Sequence, residues 1–382
     1  MLSRRRFLGF GAVAGAALAT SQFPLEAFEP SRHGQAVDAK TALGAARANA
    51  ILLNSNENPY GPLPKTNAAM QQALGWANRY PDFEYDSLVW AIADLHKIQP
   101  HQVVTGCGST ELLRVSACAF LAPGSKLILA WPTFEAIPAY AEPTGAEIVK
   151  LPLTSNYAHD LDAMLSHTSS GPSLIYICNP NNPTASLTPR KDLDAFMAKL
   201  PSNSYLLIDE AYHHFATGSP DYVSYLDQLT SNPRVIVART FSKIYGMAGM
   251  RLGYGVSSEE TAARLRRFQN QDNVNMVAAQ AGLAALQDTV EMQTATRRIV
   301  ADRQEFFNQA SRRGLKAIPS YANFAMMDAG RPASEVSTYF KNKGILIGRR
   351  FPLMDNYVRI SFGRPTEMQQ FWKVWDEMKS SS

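Results

Sequence analysis

The sequence predicts an α/β protein whose main sheet is mostly parallel, and three observations carry that reading. Short apolar runs near 126–130, 147–151, 173–178, 205–208, 235–240 and 253–256 alternate with helical patterns such as 109–120, 134–141 and 192–199. Those runs are apolar nearly throughout, as strands covered on both faces must be. The chain is also large and apolar enough to bury a substantial core: of 382 residues, 46% are hydrophobic and 18% charged, which excludes wholesale disorder.

The N-terminus opens Met1-Leu2-Ser3-Arg4-Arg5-Arg6-Phe7-Leu8, continues as a Gly/Ala-rich apolar stretch to Ala19, and ends in an Ala-x-Ala pattern. A charged start, a short apolar stretch and small residues at the end describe a secretory signal, and 7–19 is too short to span a bilayer. Ser-Arg-Arg-x-Phe-Leu resembles the twin-arginine export signal of bacteria. The resemblance implies carriage of a folded protein by the twin-arginine machinery to the periplasm, with 1–19 as the signal. No Cys stands directly after Ala19, so no permanent membrane anchor is expected. Removing 1–19 takes away three Arg and no acid, lowering the net charge from +4 to +1. That balance gives no footing for a nucleic-acid partner. The three cysteines, Cys107, Cys118 and Cys178, are too few for a disulfide framework and are expected to be small buried hydrophobes.

Residues 20–60 read as an N-terminal arm, polar at first and then turn-rich through Asn54-Ser55-Asn56-Glu57-Asn58-Pro59-Tyr60-Gly61-Pro62. A large domain is expected over 61–288. The pattern changes after Asp288: a long amphipathic helix over 291–314 leads to strand candidates at 322–328 and 357–362, a smaller α+β domain over 289–382.

Chemistry gathers where strands are expected to end, the place at which such sheets build their sites. Thr105-Gly106-Cys107-Gly108-Ser109-Thr110-Glu111 opens a helix, either as a backbone cradle for an anion or as an ordinary cap. It lacks the third Gly of a dinucleotide fingerprint and the Gly-Lys-Ser/Thr of a P-loop. Cys178-Asn179-Pro180-Asn181-Asn182-Pro183-Thr184 forces a specific turn and exposes side-chain amides. In Ile208-Asp209-Glu210-Ala211-Tyr212, Asp209 ends an apolar strand, capping a helix or meeting a cation in a cleft. Asp209, His213 and His214 fit no standard metal spacing. Thr240-Phe241-Ser242-Lys243-Ile244-Tyr245-Gly246 sets a Lys among apolar residues, which lowers its pKa and makes it nucleophilic. Arg251 follows amid glycines.

Together these segments resemble the aspartate-aminotransferase superfamily of pyridoxal-phosphate (PLP) enzymes, and within it the histidinol-phosphate aminotransferases. The resemblance runs from about 53 to 363. It rests on Asn-Glu-Asn-Pro at 56–59, Asn-Arg-Tyr-Pro-Asp at 78–82, Asn-Pro-Asn-Asn-Pro-Thr at 179–184, Asp-Glu-Ala-Tyr at 209–212, Ser-Lys at 242–243 with Arg251, and Arg-Ile-Ser-Phe-Gly at 359–363. It implies catalytic roles for Lys243, Asp209 and Tyr212: Lys243 attaches the cofactor and moves the proton, Asp209 pairs with the pyridine nitrogen, and Tyr212 with Asn182 holds the ring hydroxyl. Phe134, where the family usually carries Tyr, would stack on the ring. Gly108, Ser109, Thr110, Ser242 and Arg251 would hold the cofactor phosphate, and Tyr80 would reach it from a neighbouring subunit, implying a homodimer. Arg359 would bind the substrate's carboxylate or phosphate by a planar fork, with Asn58 and Arg349 also on the substrate side. Two departures stand out: Thr110 replaces a common Asp, and Ile244-Tyr245-Gly246-Met247 replaces a small aliphatic run.

The activity so implied is transamination between an amino acid or amine-bearing metabolite and a 2-oxo acid. A decarboxylase or lyase of the threonine-phosphate decarboxylase type shares nearly all the cofactor residues and is the alternative. An exported binding protein is the third reading, although such a protein has no need of Lys243.

Overall fold

The computed structural model describes residues 50–169, 171–228 and 232–380. The export signal read at 1–19 and most of the arm read at 20–60 lie outside the described residues.

Seven strands form the main sheet: β2 (Val103–Cys107), β3 (Lys126–Trp131), β4 (Glu147–Pro152), β5 (Ser173–Cys178), β6 (Ser204–Asp209), β7 (Val235–Thr240) and β8 (Leu252–Ser257). Their order is β2-β8-β7-β6-β5-β3-β4, and only β8 runs antiparallel to its neighbours. Every residue of β5 and β7 is buried, and successive side chains enter different cores. Ile175 and Ile177 pack on one face with Ile128, Ile208 and Val237, while Leu174 and Tyr176 pack on the other with Leu129, Leu207 and Ile236. That double cover is why these runs are apolar at every position.

Around this sheet the chain supplies two small ones. β1 (Ile51–Leu53) pairs parallel with β10 (Ile345–Ile347), and β9 (Phe324–Asp328) pairs antiparallel with β11 (Tyr357–Ser361). They share a core with the helices Thr289–Arg312, Ala333–Asn342 and Pro365–Ser380, built on Phe306, Phe340, Phe371 and Trp375. No helix among the described residues is long and apolar enough to cross a membrane.

Differences from the sequence reading are local. The reading has no strand at β2, because Thr105-Gly106-Cys107 looks like a loop. Gly106 is nonetheless favoured there, since a Cβ would meet the Gly108 carbonyl oxygen at 2.9 Å. The helix expected over 134–141 begins only at Ala136, which leaves Phe134 and Glu135 in the turn after β3. Of the cysteines, Cys178 is buried as expected, Cys118 is half-buried, and Cys107 is exposed at the end of β2.

Candidate active site

Strands β2, β3, β5, β6 and β7 all deliver their carboxyl ends to one edge of the sheet, and antiparallel β8 starts there. A cavity of about 400 Å³ opens at that edge. Its wall includes Ser109, Thr110, Phe134, Asn182, Asp209, Tyr212, Ser242, Lys243, Arg251, Arg349 and Arg359, so segments separated by up to 250 positions converge on one space. Asn58 and Tyr80 are not brought to this wall. Asn58 is buried beside it, donating from Nδ2 to the Ile244 carbonyl at 2.9 Å and accepting from the Tyr60 N–H at 3.0 Å. Tyr80 is 75% exposed on the surface.

One end of the cavity is built for an anion. The helix Ser109–Phe120 starts without a side-chain cap; the Glu111 N–H donates to the Gly108 carbonyl at 3.2 Å, and those of Ser109 and Thr110 remain available. Gly108, at φ 74°, lies so close to the Arg251 guanidinium that a Cβ would collide with it. Arg251 donates from Nη2 to Thr110 Oγ1 and from Nη1 to Ser242 Oγ, both at 3.4 Å, and from Nη1 to the Ala248 carbonyl at 2.9 Å. A guanidinium, two hydroxyls and a helix N-terminus thus face a common point.

At the middle stands Asp209, the last residue of β6 and only 3% exposed. It accepts from Tyr176 Oη at 2.9 Å and from the Ala211 N–H at 3.1 Å. Burial raises its pKa from 3.8 to about 6 even against those two bonds. A buried acid with this little compensation suits a cationic partner in the cavity.

Lys243 follows β7 and faces the same space, its Nζ 5.6 Å from the centre of the Tyr212 ring and 3.4 Å from the Ser55 carbonyl. Burial, with help from the Arg359 charge, pushes its pKa down from 10.5 to about 8. Its amine is therefore largely neutral a little above physiological pH, the condition for nucleophilic attack and for proton transfer. Burial keeps the Tyr212 phenol protonated by raising its pKa; its oxygen accepts from Asn56 Nδ2 at 3.0 Å.

The far wall carries Arg359, 9% exposed. Its Nη1 donates to Asn182 Oδ1 and its Nη2 to the Asn54 carbonyl, both at 2.7 Å, while Nε has no partner. Among the described residues it has no acidic partner, and burial lowers its pKa to about 10. A buried cation held only by neutral oxygens is a receptor for an anionic group. Phe351 packs beneath it, 4.8 Å from the guanidinium carbon.

Four contributors escape the sequence reading. Asn56, at φ 54° and 2% exposed, ties Tyr212 to Ser361, accepting from Ser361 Oγ at 3.1 Å. Tyr176 steadies Asp209 from within β5, where nothing but its buried hydroxyl marks it. Glu135 and Phe351 line the mouth. The polar residue inside an apolar strand was the available signal for Tyr176; the others depend on tertiary placement. No group of three His, Cys, Asp or Glu among the described residues could hold a metal ion.

Comparison with known proteins gives this geometry a context. The model of the family "Aminotransferase class I and II" matches residues 48–374. The chain is 37% identical to a histidinol-phosphate aminotransferase of Symbiobacterium thermophilum over 84% of its own length and 88% of the relative's. It is 36% identical to an aromatic amino acid aminotransferase of Cutibacterium acnes, over 78% of its length and 84% of the relative's. The crystal structure of histidinol-phosphate aminotransferase from Sinorhizobium meliloti in complex with pyridoxal-5′-phosphate superposes with a TM-score of 0.81 at 28% identity, covering 94% of this chain and 99% of that one.

Proposed function

Since the chain belongs to the class I and II aminotransferases, PLP-dependent enzymes, we propose that its cavity transfers the amino group of an α-amino acid or amine-bearing metabolite to a 2-oxo acid. The observation that carries this reading is the joint placement of Lys243, Asp209 and the cradle of Ser109, Thr110 and Arg251 around one space. The residues fit the cofactor: the cradle would take its phosphate, Asp209 its pyridinium nitrogen, and Tyr212 with the Asn182 amide its ring hydroxyl. Phe134 would cover the ring face, although it offers no hydroxyl of its own. The bound cofactor supplies an electron sink for the bond broken at the substrate's α-carbon.

The chain's residues do the rest. Arg359 binds the donor's carboxylate, or a phosphate in its place, and so fixes which way the α-carbon faces. Lys243 Nζ, pushed toward its neutral form by burial, would take the proton from that carbon and pass it across the same face to the cofactor. Asp209, charged at neutral pH, holds a proton on the ring nitrogen. Arg251 and Ser242 would hold the cofactor's phosphate in place through the reaction.

Decarboxylation, the alternative that the sequence left open, is not favoured, because the two relatives at 36% and 37% identity are aminotransferases by name. We also propose a homodimer, supported by a set of exposed aromatics at 63–79% exposure, Trp76, Tyr80, Phe83 and Trp90, more apolar surface than a free helix face would carry. A cofactor-binding part over 61–288 and a smaller part over 289–382 remain our reading of the chain. The motif at 1–19 supports export by the twin-arginine route to the periplasm. A periplasmic donor, rather than an intermediate of cytosolic histidine synthesis, then becomes the natural substrate. The test is a half-reaction: the visible absorbance of the loaded enzyme should change on adding L-glutamate, an aromatic amino acid or histidinol phosphate, and recover with 2-oxoglutarate. No change with any of these donors would overturn the reading.

A further inference from the structure

Resting on the aminotransferase reading of the cavity, we propose that Glu111 is a positioning residue for its phosphate end. Its side chain fixes the turn that offers the Ser109 and Thr110 N–H groups to the cofactor's phosphate.

Helix starts are ordinarily closed by a reciprocal pair of side chains. The residue before the helix covers an N–H of the first turn, and an acid three positions on reaches back to the backbone before the helix. Only the second half of that arrangement is present here. Gly108, which precedes the helix Ser109–Phe120, has no side chain to offer, so the Ser109 and Thr110 N–H groups are left for a ligand. Glu111 does reach back. The Gly108 N–H is already taken, donating to the Arg251 carbonyl at 2.9 Å, so Glu111 Oε2 accepts instead from the Cys107 N–H at 2.6 Å. The Glu111 N–H closes the turn on the Gly108 carbonyl at 3.2 Å. Both N–H groups of the turn are thereby held, while the two that follow, on residues lining the cavity, stay open.

Glu111 is 6% exposed, and its other bonds tie the turn to the loop before the helix Met276–Gln287. Asn273 Nδ2 donates to Oε2 at 3.0 Å, the Asn270 N–H donates to Oε1 at 3.2 Å, and Arg114 Nη2 stands 3.4 Å from Oε1 as its counter-charge. The same loop grips β2 just ahead of the turn, since the Gln269 and Asn273 amides donate to the Thr105 carbonyl at 2.8 and 3.1 Å. An acid in a first helical turn ordinarily serves the helix dipole, and here that charge would oppose a bound phosphate. Four donors draw this carboxylate off to the turn and the loop instead.

The probes are PLP and pyridoxal, which differ by the phosphate, each brought to the cofactor-free protein in equilibrium dialysis. Glu111→Met, of similar length but without an acceptor, should weaken PLP about tenfold and leave pyridoxal within about twofold. Glu111→Gln still offers one oxygen to the Cys107 N–H and should restore most of the lost affinity. Asn273→Ala keeps the carboxylate and its counter-charge; it should show the same selective loss at about threefold, and carries the comparison alone where Glu111→Met does not fold. Equal weakening of both compounds would make Glu111 a general support of the fold and overturn the proposal. So would unchanged PLP affinity in these variants, or a Glu111→Gln protein as weak as Glu111→Met. A parent chain that binds no PLP would overturn the cofactor reading as well, so the two failures are distinguishable.

Discussion

Asp209 offers a direct physical test, because the charge that serves the cofactor burdens the empty protein. Its folded pKa of about 6 lies about two units above its ordinary 3.8, and burial is the cause. The native state therefore keeps a proton that the unfolded chain loses between those values, so stability present below pH 3.8 is lost as pH rises to about 6. At 1.36 kcal/mol per unit, the loss is about 3 kcal/mol. Asp209→Asn has the same shape, can still accept from the Ala211 N–H, and can meet the Tyr176 hydroxyl, but it carries no charge to bury. The cofactor-free variant should accordingly be more stable than the parent by about 3 kcal/mol at pH 8, with the gap closing toward pH 4. Urea unfolding of both proteins, freed of cofactor, at several pH values measures it. Activity of the loaded variant should fall, the usual opposition of stability and function at a site. A variant less stable at pH 8, or a gap that does not change with pH, would refute the reasoning.

Lys243 in the cofactor-free protein should react with an amine-selective reagent along a titration centred near pH 8; a midpoint at an ordinary lysine's 10.5 would contradict its burial. Arg359→Lys should cost about a hundredfold in kcat/KM for a carboxylate donor, roughly 3 kcal/mol, because an ammonium cannot reproduce the planar fork. Gly108→Ala should weaken cofactor binding about tenfold or more, since the added methyl meets Arg251 and φ 74° with ψ 165° costs an L side chain on the order of 1–3 kcal/mol; equilibrium dialysis of the cofactor reads it.

The main sheet was legible because its central strands are buried on both faces, which forces uninterrupted apolar runs: 173–178 and 235–240 coincide with β5 and β7. Strand β2 was hidden by Gly106, where the close approach of the Gly108 carbonyl disfavours a side chain. β1 and β10 are three residues each, too short for any period to show. At the cavity, four strand-end segments carried turn and charge chemistry dense enough to be picked out singly, and the sheet's common edge brings them together. Asn58 sits in the same Asn-rich turn as Asn56, and residue type cannot say which of the two amides faces Tyr212; the left-handed backbone at Asn56 decides it. Glu135 was indistinguishable from helix, because only the late start of the following helix turns it toward Arg349.

The central claim is that Lys243 carries the cofactor and gives it up to an amino donor. Reduction of the loaded enzyme with borohydride, followed by peptide mass analysis, tests it most directly. The cofactor mass should appear on the peptide containing Lys243 and vanish when the enzyme is first treated with an amino donor. A label on another lysine, or no label on any, would contradict the account.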